Sequence, residues 1–245
     1  MPFTFSHTVV GFPLKKKFCK HLSFLGLILG SMAPDFLYFI NLKPSGHFGH
    51  TLSGFLILNL PICLFLNYIF SEYIRDSLIA HLPQRIQFYF SNCYKQKSDY
   101  SIKAMIIFCY STLLGMLTHI FWDSFTHKTG YFVDRFSCFK QSLNFMSHNV
   151  PVYKILQHGS TFIGAIVIII YILKGFFKGT LLEDTVLIPD IRNSKKIIYF
   201  LKAILISILF ILMIYSTGNL NSIGGLIVCS IDGLFIGLVL SSLTE

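Results

Sequence analysis

The chain has 245 residues, of which 53% are hydrophobic and only 13% are charged. Soluble globular domains average about 25% charged residues, so this chain cannot cover a surface that faces water. The composition excludes a soluble enzyme, a disordered tail and a disulfide scaffold, and it predicts a membrane protein. The six cysteines are scattered without a C-x-x-C pair, which argues against a thiolate zinc site. In such a chain the formal net charge of +9 sets orientation in the bilayer, and no nucleic-acid partner is predicted.

The N-terminal region predicts a helical hairpin. Two short apolar arms, residues 3–14 and 22–33, flank a basic turn at 15–20. Each arm of about 12 residues makes about 18 Å of helix, which is too short to cross a bilayer alone. A cleavable signal peptide is the competing interpretation, but an apolar arm precedes the basic cluster and Pro34 would follow the cleavage point. We therefore expect an uncleaved hairpin.

Five longer apolar segments follow the hairpin. A bilayer core of about 30 Å needs about 20 apolar residues in a helix. The segments that qualify are 51–70, 104–125, 159–177, 197–216 and 223–243. The predicted fold class is therefore all-α, a polytopic membrane helix bundle made of the hairpin and these spans. The predicted domains are a metal-site membrane domain at 1–178, a cytoplasmic linker at 179–196 and a C-terminal pair of spans at 197–245.

The distribution of lysine and arginine predicts the orientation of the chain. These residues concentrate in the basic turn, in the loop after the first span and between the third and fourth spans. Because positive charge stays cytoplasmic, these segments are placed inside, and residues 41–50 and 126–158 are placed outside. The open ends of the hairpin, with His7 and Asp35, then face outward as well. The predicted location is the bacterial cytoplasmic (inner) membrane, with the site on its outer face.

The strongest local signal is the segment T-H-I-F-W-D-S-F-T-H at 118–127, near the end of the second span. His119 and Asp123 are four residues apart, so on a helix they share one face, about 6 Å apart, and can grip one divalent ion. His127 lies about 12 Å from His119 along a regular helix, which is too far for the same ion. Either His127 folds back from beyond the helix end, or two ions bind. The alternative is a polar helix terminus in which Asp123 is hydrogen-bonded locally.

Three other polar residues lie at predicted outer boundaries. Asp35 follows Pro34 at the end of the second arm, His50 precedes the first span, and His158 precedes the third. Each alone fits a simple boundary role, such as a carboxylate near a helix N-terminus. Together with His7 they fall on one side of the membrane by the independent argument from charge. Ionisable groups near apolar segments are costly, so we treat them as functional candidates.

Several motifs carry a resemblance to known families. They are M-P-F-T-F-S-H, S-M-A-P-D, G-H-T-L-S-G, H-I-F-W-D-S-F-T-H and Q-H-G-S-T, within residues 1–165. In these the chain resembles an uncharacterised bacterial integral-membrane family of unknown function. More distantly, it is similar to membrane-bound metal-dependent hydrolases, zinc-dependent phospholipase C and the single-strand-specific zinc nucleases.

The resemblance implies a set of metal ligands. Those that match the distant pattern are His7, Asp35, His50, His119, Asp123 and His127, with His158 as a weaker candidate. The chain departs from the zinc phospholipases and nucleases at its start, because they begin with a Trp whose amino group binds metal and this chain begins Met1-Pro2. It departs again after His158, where Phe162 takes the place of their later acidic ligand.

These residues predict a function and an alternative. Histidine and aspartate ligands suit a divalent metal, with Zn²⁺ the first choice. Asp35, as bridging ligand or general base, and Asp123 are the predicted catalytic residues of a membrane-embedded hydrolase. A site among membrane lipids predicts a phosphoester of a lipid or lipid-linked substrate. The alternative is a non-enzymatic integral-membrane protein with a transport, assembly or binding role. Its best evidence is Asp232 inside the last span, unless Asp232 pairs with Lys202 or with a backbone group.

Overall fold

The structure is a computed structural model that describes residues 4–18, 21–43, 46–93, 99–145, 148–179, 191–218, 220 and 222–245. These residues are almost entirely helical, which confirms the predicted all-α class. In chain order the α-helices are α1 (Gly11–Lys17), α2 (Phe24–Met32), α3 (Phe36–Ile40), α4 (Leu52–Gly54), α5 (Leu60–Ile69), α6 (Arg75–His81), α7 (Gln84–Cys93), α8 (Ile102–Thr126), α9 (Tyr131–Arg135), α10 (Val152–Gly179), α11 (Asn193–Ser216) and α12 (Ile223–Leu243).

Shorter elements connect and interrupt these helices. The 3₁₀ segments are Thr4–Val10, Ala33–Asp35, Phe48–His50 and Ser137–Phe139, and the π-helical segments are Phe55–Asn59 and Phe70–Ile74. Strands β1 (Ser142–Phe145) and β2 (His148–Pro151) form an antiparallel hairpin in which Ser142 faces Pro151. This hairpin lies in a segment that the sequence predicted only as an outer loop, because its short strands show little apolar alternation.

Five helical stretches are long and apolar enough to cross a membrane, as predicted. They are Leu52–His81, Ile102–Arg135, Val152–Gly175, Asn193–Ser216 and Ile223–Leu243. The first runs past the predicted end at 70, and the third begins before the predicted start at 159. Many of their leucines and isoleucines are exposed, including Ile169 and Leu205, as expected for side chains that face lipid.

The π-helical turn in the first span has an identifiable cause. Pro61 lies in the first turn of α5, directly after the π-helical segment Phe55–Asn59. Proline has no N–H and its ring clashes with the carbonyl one turn earlier, so a regular α-helix cannot pass through it. The wider turn absorbs the mismatch and lets one span continue.

The chain folds into two compact units. The first comprises Met1–Asp35, Phe48–Cys63 and Ser101–Ile170, and the second comprises Phe36–His47, Leu64–Tyr100 and Tyr171–Glu245. Each unit draws on separate parts of the sequence. The domain boundaries given above at 178 and 196 remain a prediction, since most of the predicted linker lies outside the described residues.

In the first unit, the N-terminal arms form the expected hairpin. Contacts between the arms run in antiparallel order. At the open end, the Thr4 hydroxyl donates to Asp35 Oδ2 over 2.8 Å. A Cβ on Gly11, midway, would touch Leu27. At the turn, Lys15 Nζ donates to the carbonyl oxygen of residue 22 over 2.7 Å. The lysines therefore lie at one end of the hairpin and Asp35 at the other.

Helices α2 and α8 run parallel. They pack closely because small residues line their contact. A Cβ on Gly30 would collide with the backbone of Thr112, and one on Gly115 would lie 2.7 Å from the Ser31 nitrogen. The small residues let the two backbones approach, as at small-xxx-small contacts between membrane helices. This approach brings the carbonyl of Ser31 against the second half of α8.

In the second unit, α11 and α12 run antiparallel and also pack closely through small residues. A Cβ on Gly233 would lie 2.8 Å from Ser207 Oγ, and one on Gly237 would collide with the backbone of Ala203. The structure contradicts the pairing of Asp232 with Lys202 that was considered from the sequence. Lys202 Nζ instead lies 3.4 Å from Glu245 Oε1, because both residues are at the end of the helix pair away from Asp232.

A polar group of four residues, which we call the His81 cluster, lies at the same end of the α11–α12 pair as Lys202 and Glu245. It consists of His81, Tyr199, Lys202 and Glu245. The rings of His81 and Tyr199 stack with centroids 4.4 Å apart. His81 Nε2 lies 3.4 Å from Glu245 Oε2, and its Nδ1 lies 2.8 Å from the carbonyl oxygen of Ser77.

Candidate metal centre

His119 occupies the centre of the first unit and is 1% exposed. Its Nδ1 lies 2.7 Å from the carbonyl oxygen of Ser31 on α2. A carbonyl oxygen only accepts, so Nδ1 carries the proton and Nε2 presents a lone pair in the neutral ring. Metal-binding histidines commonly donate their other ring N–H to a backbone carbonyl in this way. The close approach of α2 and α8 therefore fixes the His119 tautomer.

Asp123 lies one turn after His119 on the same face of α8. Its Oδ2 is 3.2 Å from His119 Nε2 and 3.8 Å from His50 Nε2. A local hydrogen bond to Asp123 would need a nearby hydroxyl, but the Thr118 hydroxyl donates to the carbonyl of Gly115. Asp123 is therefore surrounded by imidazoles and not by a neighbouring hydroxyl.

His127 is the residue that follows the last turn of α8. The helix ends at Thr126, and His127 has an extended backbone with φ −110° and ψ 144°. Its Nδ1 lies 3.4 Å from Asp123 Oδ1 and 3.3 Å from the Thr126 hydroxyl. His127 therefore turns back from beyond the helix end toward Asp123, and whether it serves the same ion as His119 or a second ion stays a prediction.

His7 reaches the site from the N-terminal 3₁₀ segment. Its ring stacks on His119 with centroids 3.9 Å apart and planes inclined by 18°. Its Nε2 lies 3.6 Å from Asp123 Oδ1. Burial lowers the pKa of His7 to about 3. His7 is therefore neutral at pH 7 and presents a lone pair.

Asp35 and His50 complete the group. Asp35 Oδ1 lies 3.5 Å from His50 Nε2 and 3.8 Å from His119 Nε2, while its Oδ2 accepts from Thr4. His50 is placed by its neighbour Gly49, since a Cβ there would collide with the carbonyl of Pro34. Asn59 holds the same glycine by donating to its carbonyl over 2.7 Å.

The predicted convergence is confirmed for six residues. We call them the His119 cluster: His7, Asp35, His50, His119, Asp123 and His127. All six belong to the first unit. Their binding of metal stays a prediction.

His158 does not join the cluster in the described contacts. Helix α10 begins at Val152, so His158 lies within it and is exposed. The face of α10 that meets the N-terminal segment carries Thr161 and Gly164, both against Ser6. Gln157, one turn before Thr161 and on the same face, is buried. The expectation of a ligand at 158 failed because the helix starts earlier than the apolar pattern indicated.

Several buried polar atoms at the centre of the cluster have no hydrogen-bond partner. His7 Nε2, His119 Nε2 and Asp123 Oδ1 are buried and have no hydrogen-bond partner among the described residues. The described ion pairs of Asp35 and Asp123 involve histidines, and none of them involves lysine or arginine. Buried polar atoms left without partners are costly, and a cation between them would remove that cost.

The spacing of these atoms suits a metal ion. Two triplets have ligand atoms within 4.8 Å of one another: His7, His119 and Asp123, and Asp35, His50 and His119. Ligands about 2.0–2.2 Å from one tetrahedral Zn²⁺ lie roughly 3.3–3.6 Å apart. The nitrogen–oxygen distances of 3.2–3.8 Å in the cluster are close to this range. The donor set of imidazoles and carboxylates fits Zn²⁺, and Cys63, Cys109, Cys138 and Cys229 are free.

The sequence did not single out the residues that support the cluster. Thr4 has no motif of its own, and Ser31 acts through its backbone carbonyl, which no side-chain pattern reveals. Gly26 and Gly30 form a G-x-x-x-G pair, a recognisable signal for close helix packing. That signal could have indicated that α2 packs closely against another helix.

The geometry distinguishes the two carboxylates, while the catalytic role of Asp35 stays a prediction. Asp35 directs Oδ1 at His50 and His119, and its Oδ2 accepts from Thr4. Asp123 has its two oxygens directed at different imidazoles, Oδ2 at His119 and Oδ1 at His7. The geometry therefore favours Asp123 as the bridging residue.

Comparison with known proteins gives a family and no activity. No curated protein and no solved structure matches the chain. The resemblance to metal-dependent hydrolases is therefore not supported by these comparisons. The family described as a domain of unknown function, DUF4184, matches residues 1–243. This agrees with the uncharacterised family expected from the motifs, and the chain belongs to the DUF4184 family.

Proposed function

We propose that this protein is a membrane-embedded, metal-dependent hydrolase that acts on a phosphoester of a lipid or lipid-linked substrate at the outer membrane face. One observation carries the proposal. The buried Nε2 of His119 faces the oxygens of two carboxylates, Asp123 at 3.2 Å and Asp35 at 3.8 Å. When the imidazole is neutral with its proton on Nδ1, these three atoms are all acceptors, which repel unless a cation lies between them.

Each residue of the cluster has its own role in the proposed hydrolysis. A divalent ion held there would lower the pKa of a bound water to about 7 and polarise a phosphoryl oxygen. Asp35 is almost fully buried and held by Thr4, so it would fix the position of the ion. Asp123 is the more accessible carboxylate, with 14% of its side chain exposed, and it would hold the ion from the side that is open to substrate. His50 and His127 are 25% and 32% exposed, so the cluster opens to substrate on their side.

Aromatic side chains beside the opening support a substrate with an apolar tail. Phe125 stacks on Phe132 with ring centroids 4.2 Å apart, just before and after His127 in the chain. Phe121 and Tyr131, in the same group, are more than 60% exposed. Aromatic belts occur at membrane interfaces, where they contact both acyl chains and head groups.

The charges within the first unit support an outer-face site. Lys15, Lys16 and Lys17 lie at the hairpin turn, and Asp35 lies at its open end. Because α8 runs parallel to α2, Lys103 at its start is also at the end away from the cluster. Positive charge favours the cytoplasmic side, so the opposite end, with the cluster, is assigned to the outside.

A phosphate-release assay tests the proposal. Protein reconstituted in lipid and loaded with Zn²⁺ is offered a panel of lipid phosphomonoesters and phosphodiesters. We expect phosphate or alcohol release that a chelator abolishes and that Asp123→Asn lowers by at least about 100-fold, since one catalytic group supplies about 10²–10⁴-fold.

His158→Ala is the matched control, because it removes an exposed histidine from outside the cluster. It should retain wild-type hydrolysis. If the metal-loaded protein hydrolyses no member of the panel, the enzymatic proposal is wrong, and the bound metal then favours the non-enzymatic alternative.

A further inference from the structure

We propose that the His119 cluster holds two divalent ions in unequal sites that share Asp123. The tighter site uses Asp35 Oδ1, His50 Nε2, His119 Nε2 and Asp123 Oδ2. The looser site uses His7 Nε2, His127 Nδ1 and Asp123 Oδ1. This inference rests on the metal binding assumed in the proposed function, and it adds the number of ions and the charge of the ligand they accept.

The first step is that His119 can serve only one ion. Both triplets of ligand atoms include His119. Its Nδ1 is bonded to the Ser31 carbonyl, so only Nε2 can bind, with a single lone pair. The two triplets therefore cannot both be complete metal sites. The distances must decide which site contains His119.

The second step assigns His119 by distance. Its Nε2 is 3.2 Å from Asp123 Oδ2 and 3.8 Å from Asp35 Oδ1. His50 Nε2 lies 3.5 Å from the same Asp35 oxygen and 3.8 Å from the same Asp123 oxygen. These four nitrogen–oxygen distances of 3.2–3.8 Å are close to the edges of a tetrahedral site.

The third step concerns the atoms that remain. His7 Nε2 and His127 Nδ1 lie 3.6 Å and 3.4 Å from Asp123 Oδ1, the other oxygen of the shared carboxylate. The rings of His7 and His119 stack 3.9 Å apart, within the ~3.5–4 Å that separates the ions of two-metal sites. Stacked imidazoles that face different oxygens of one carboxylate are suited to two adjacent ions.

The two sites differ in strength. The first has four protein ligands, which is the usual number for a closed zinc site, and the second has three, which leaves a position open. The Thr126 hydroxyl also lies 3.3 Å from His127 Nδ1 and competes for that nitrogen. The second ion should therefore bind more weakly and be lost first.

The charge of the loaded centre indicates its ligand. Two carboxylates contribute −2 and two divalent ions contribute +4, so with neutral imidazoles the centre carries +2. A centre with this charge favours a dianion, such as a phosphate monoester, over a singly charged diester. A single ion would leave the centre neutral, with no such preference.

Metal analysis of the full chain tests the inference. Protein purified in detergent is stripped with a chelator, reloaded with Zn²⁺ or Mn²⁺ and freed of excess metal. We expect two ions per chain in the wild type and in His158→Ala, and one ion in His127→Gln. Two Mn²⁺ ions that share Asp123 should give an exchange-coupled electron paramagnetic resonance spectrum, and His127→Gln should give a single-ion spectrum.

Further outcomes separate this inference from the proposed function. His127 is at the helix end and partly exposed, so its variant keeps the test valid if the buried His7→Gln variant does not fold.

One ion in the wild type, unchanged in His127→Gln, would overturn the two-ion centre even if the protein hydrolyses phosphoesters. Two ions without hydrolysis would uphold the centre and refute the enzyme. With two ions, inorganic phosphate should bind at least about 10-fold more tightly than to His127→Gln, and equal affinity would refute the charge argument.

Discussion

His119 in the first unit and His81 in the second are close counterparts. Both are buried, with exposed fractions of 1% and 4%. Each has its Nδ1 within 2.8 Å of a backbone carbonyl oxygen, and each directs its Nε2 at a carboxylate, 3.2 Å from Asp123 and 3.4 Å from Glu245. Burial and one carboxylate therefore do not distinguish the two sites.

The difference lies in what surrounds the carboxylate. Glu245 has a lysine as its second neighbour, because Lys202 Nζ lies 3.4 Å away, and His81 stacks on the phenol ring of Tyr199. The His119 cluster has a second carboxylate and three further imidazoles in the place of a lysine. The His81 cluster contains its own cation, whereas the described ion pairs of the two carboxylates in the His119 cluster include no lysine or arginine. The proposed metal site therefore rests on the missing cation and not on the buried histidine alone.

The largest expected difference is in stabilisation by zinc. At a free Zn²⁺ concentration 100-fold above the dissociation constant, wild-type protein should gain about 2.7 kcal/mol in unfolding free energy. His119→Ala should gain much less, since the tighter site loses its central nitrogen ligand, and His81→Ala should keep the full gain. Thermal unfolding in detergent, with and without Zn²⁺, measures this. A gain that His81→Ala abolishes and His119→Ala retains would reverse the comparison.

A second contrast uses the glycines of the two helix contacts. Gly30→Ala and Gly237→Ala each force a Cβ against the backbone of a neighbouring helix, so each should cost about 1–3 kcal/mol of stability. Only Gly30→Ala should also weaken metal binding, because it displaces the Ser31 carbonyl from His119. Chemical unfolding and metal titration of both variants check this. Equal metal affinity in the two variants would show that the helix contact does not position His119.

A smaller effect is expected from Thr4→Val, which keeps the side-chain shape and removes the hydroxyl that donates to Asp35. Groups that hold a metal ligand in place typically contribute 10–100-fold in metal affinity, and Thr4 holds Asp35 from outside the ligand set. Competition with a metal-sensitive dye measures the change. Thr8→Val is the control, because the Thr8 hydroxyl donates to the backbone of Phe5. An unchanged affinity in Thr4→Val would remove Thr4 from the account.

The smallest effect is expected from Lys202→Met. Lys202 is 41% exposed, and exposed ion pairs contribute at most about 1 kcal/mol. The variant should therefore unfold within about 1 kcal/mol of the wild type and bind metal unchanged. A loss of metal in this variant would mean that the two clusters are not independent.

The polar side chains of the site could be predicted from the sequence because each lies in a short motif. The i, i+4 spacing of His119 and Asp123 gave their common face, and the lysine-rich turn gave the hairpin that returns His7 to Asp35. The prediction of His158 as a ligand was wrong for a local reason. Helix α10 starts at Val152, so Gln157 is the buried residue and His158 is exposed.

The supporting contacts could not be predicted, because they depend on the register between helices. The Ser31 carbonyl meets His119 only because α2 and α8 run parallel and close, with Gly30 and Gly115 between them. Glycine spacing suggests that a helix packs closely, but it names neither the partner nor the register. The pairing of Lys202 was missed for the same reason.

X-ray absorption at the zinc edge tests the central claim most directly, because it reports the atoms bound to the metal. The spectrum of purified, zinc-loaded protein should fit nitrogen and oxygen ligands at about 2.0–2.2 Å, with imidazole scattering and no sulfur. His119→Ala should lose that signal, and His81→Ala should keep it. Zinc bound to sulfur at about 2.3 Å, or a signal unchanged in His119→Ala, would contradict a metal centre at the His119 cluster.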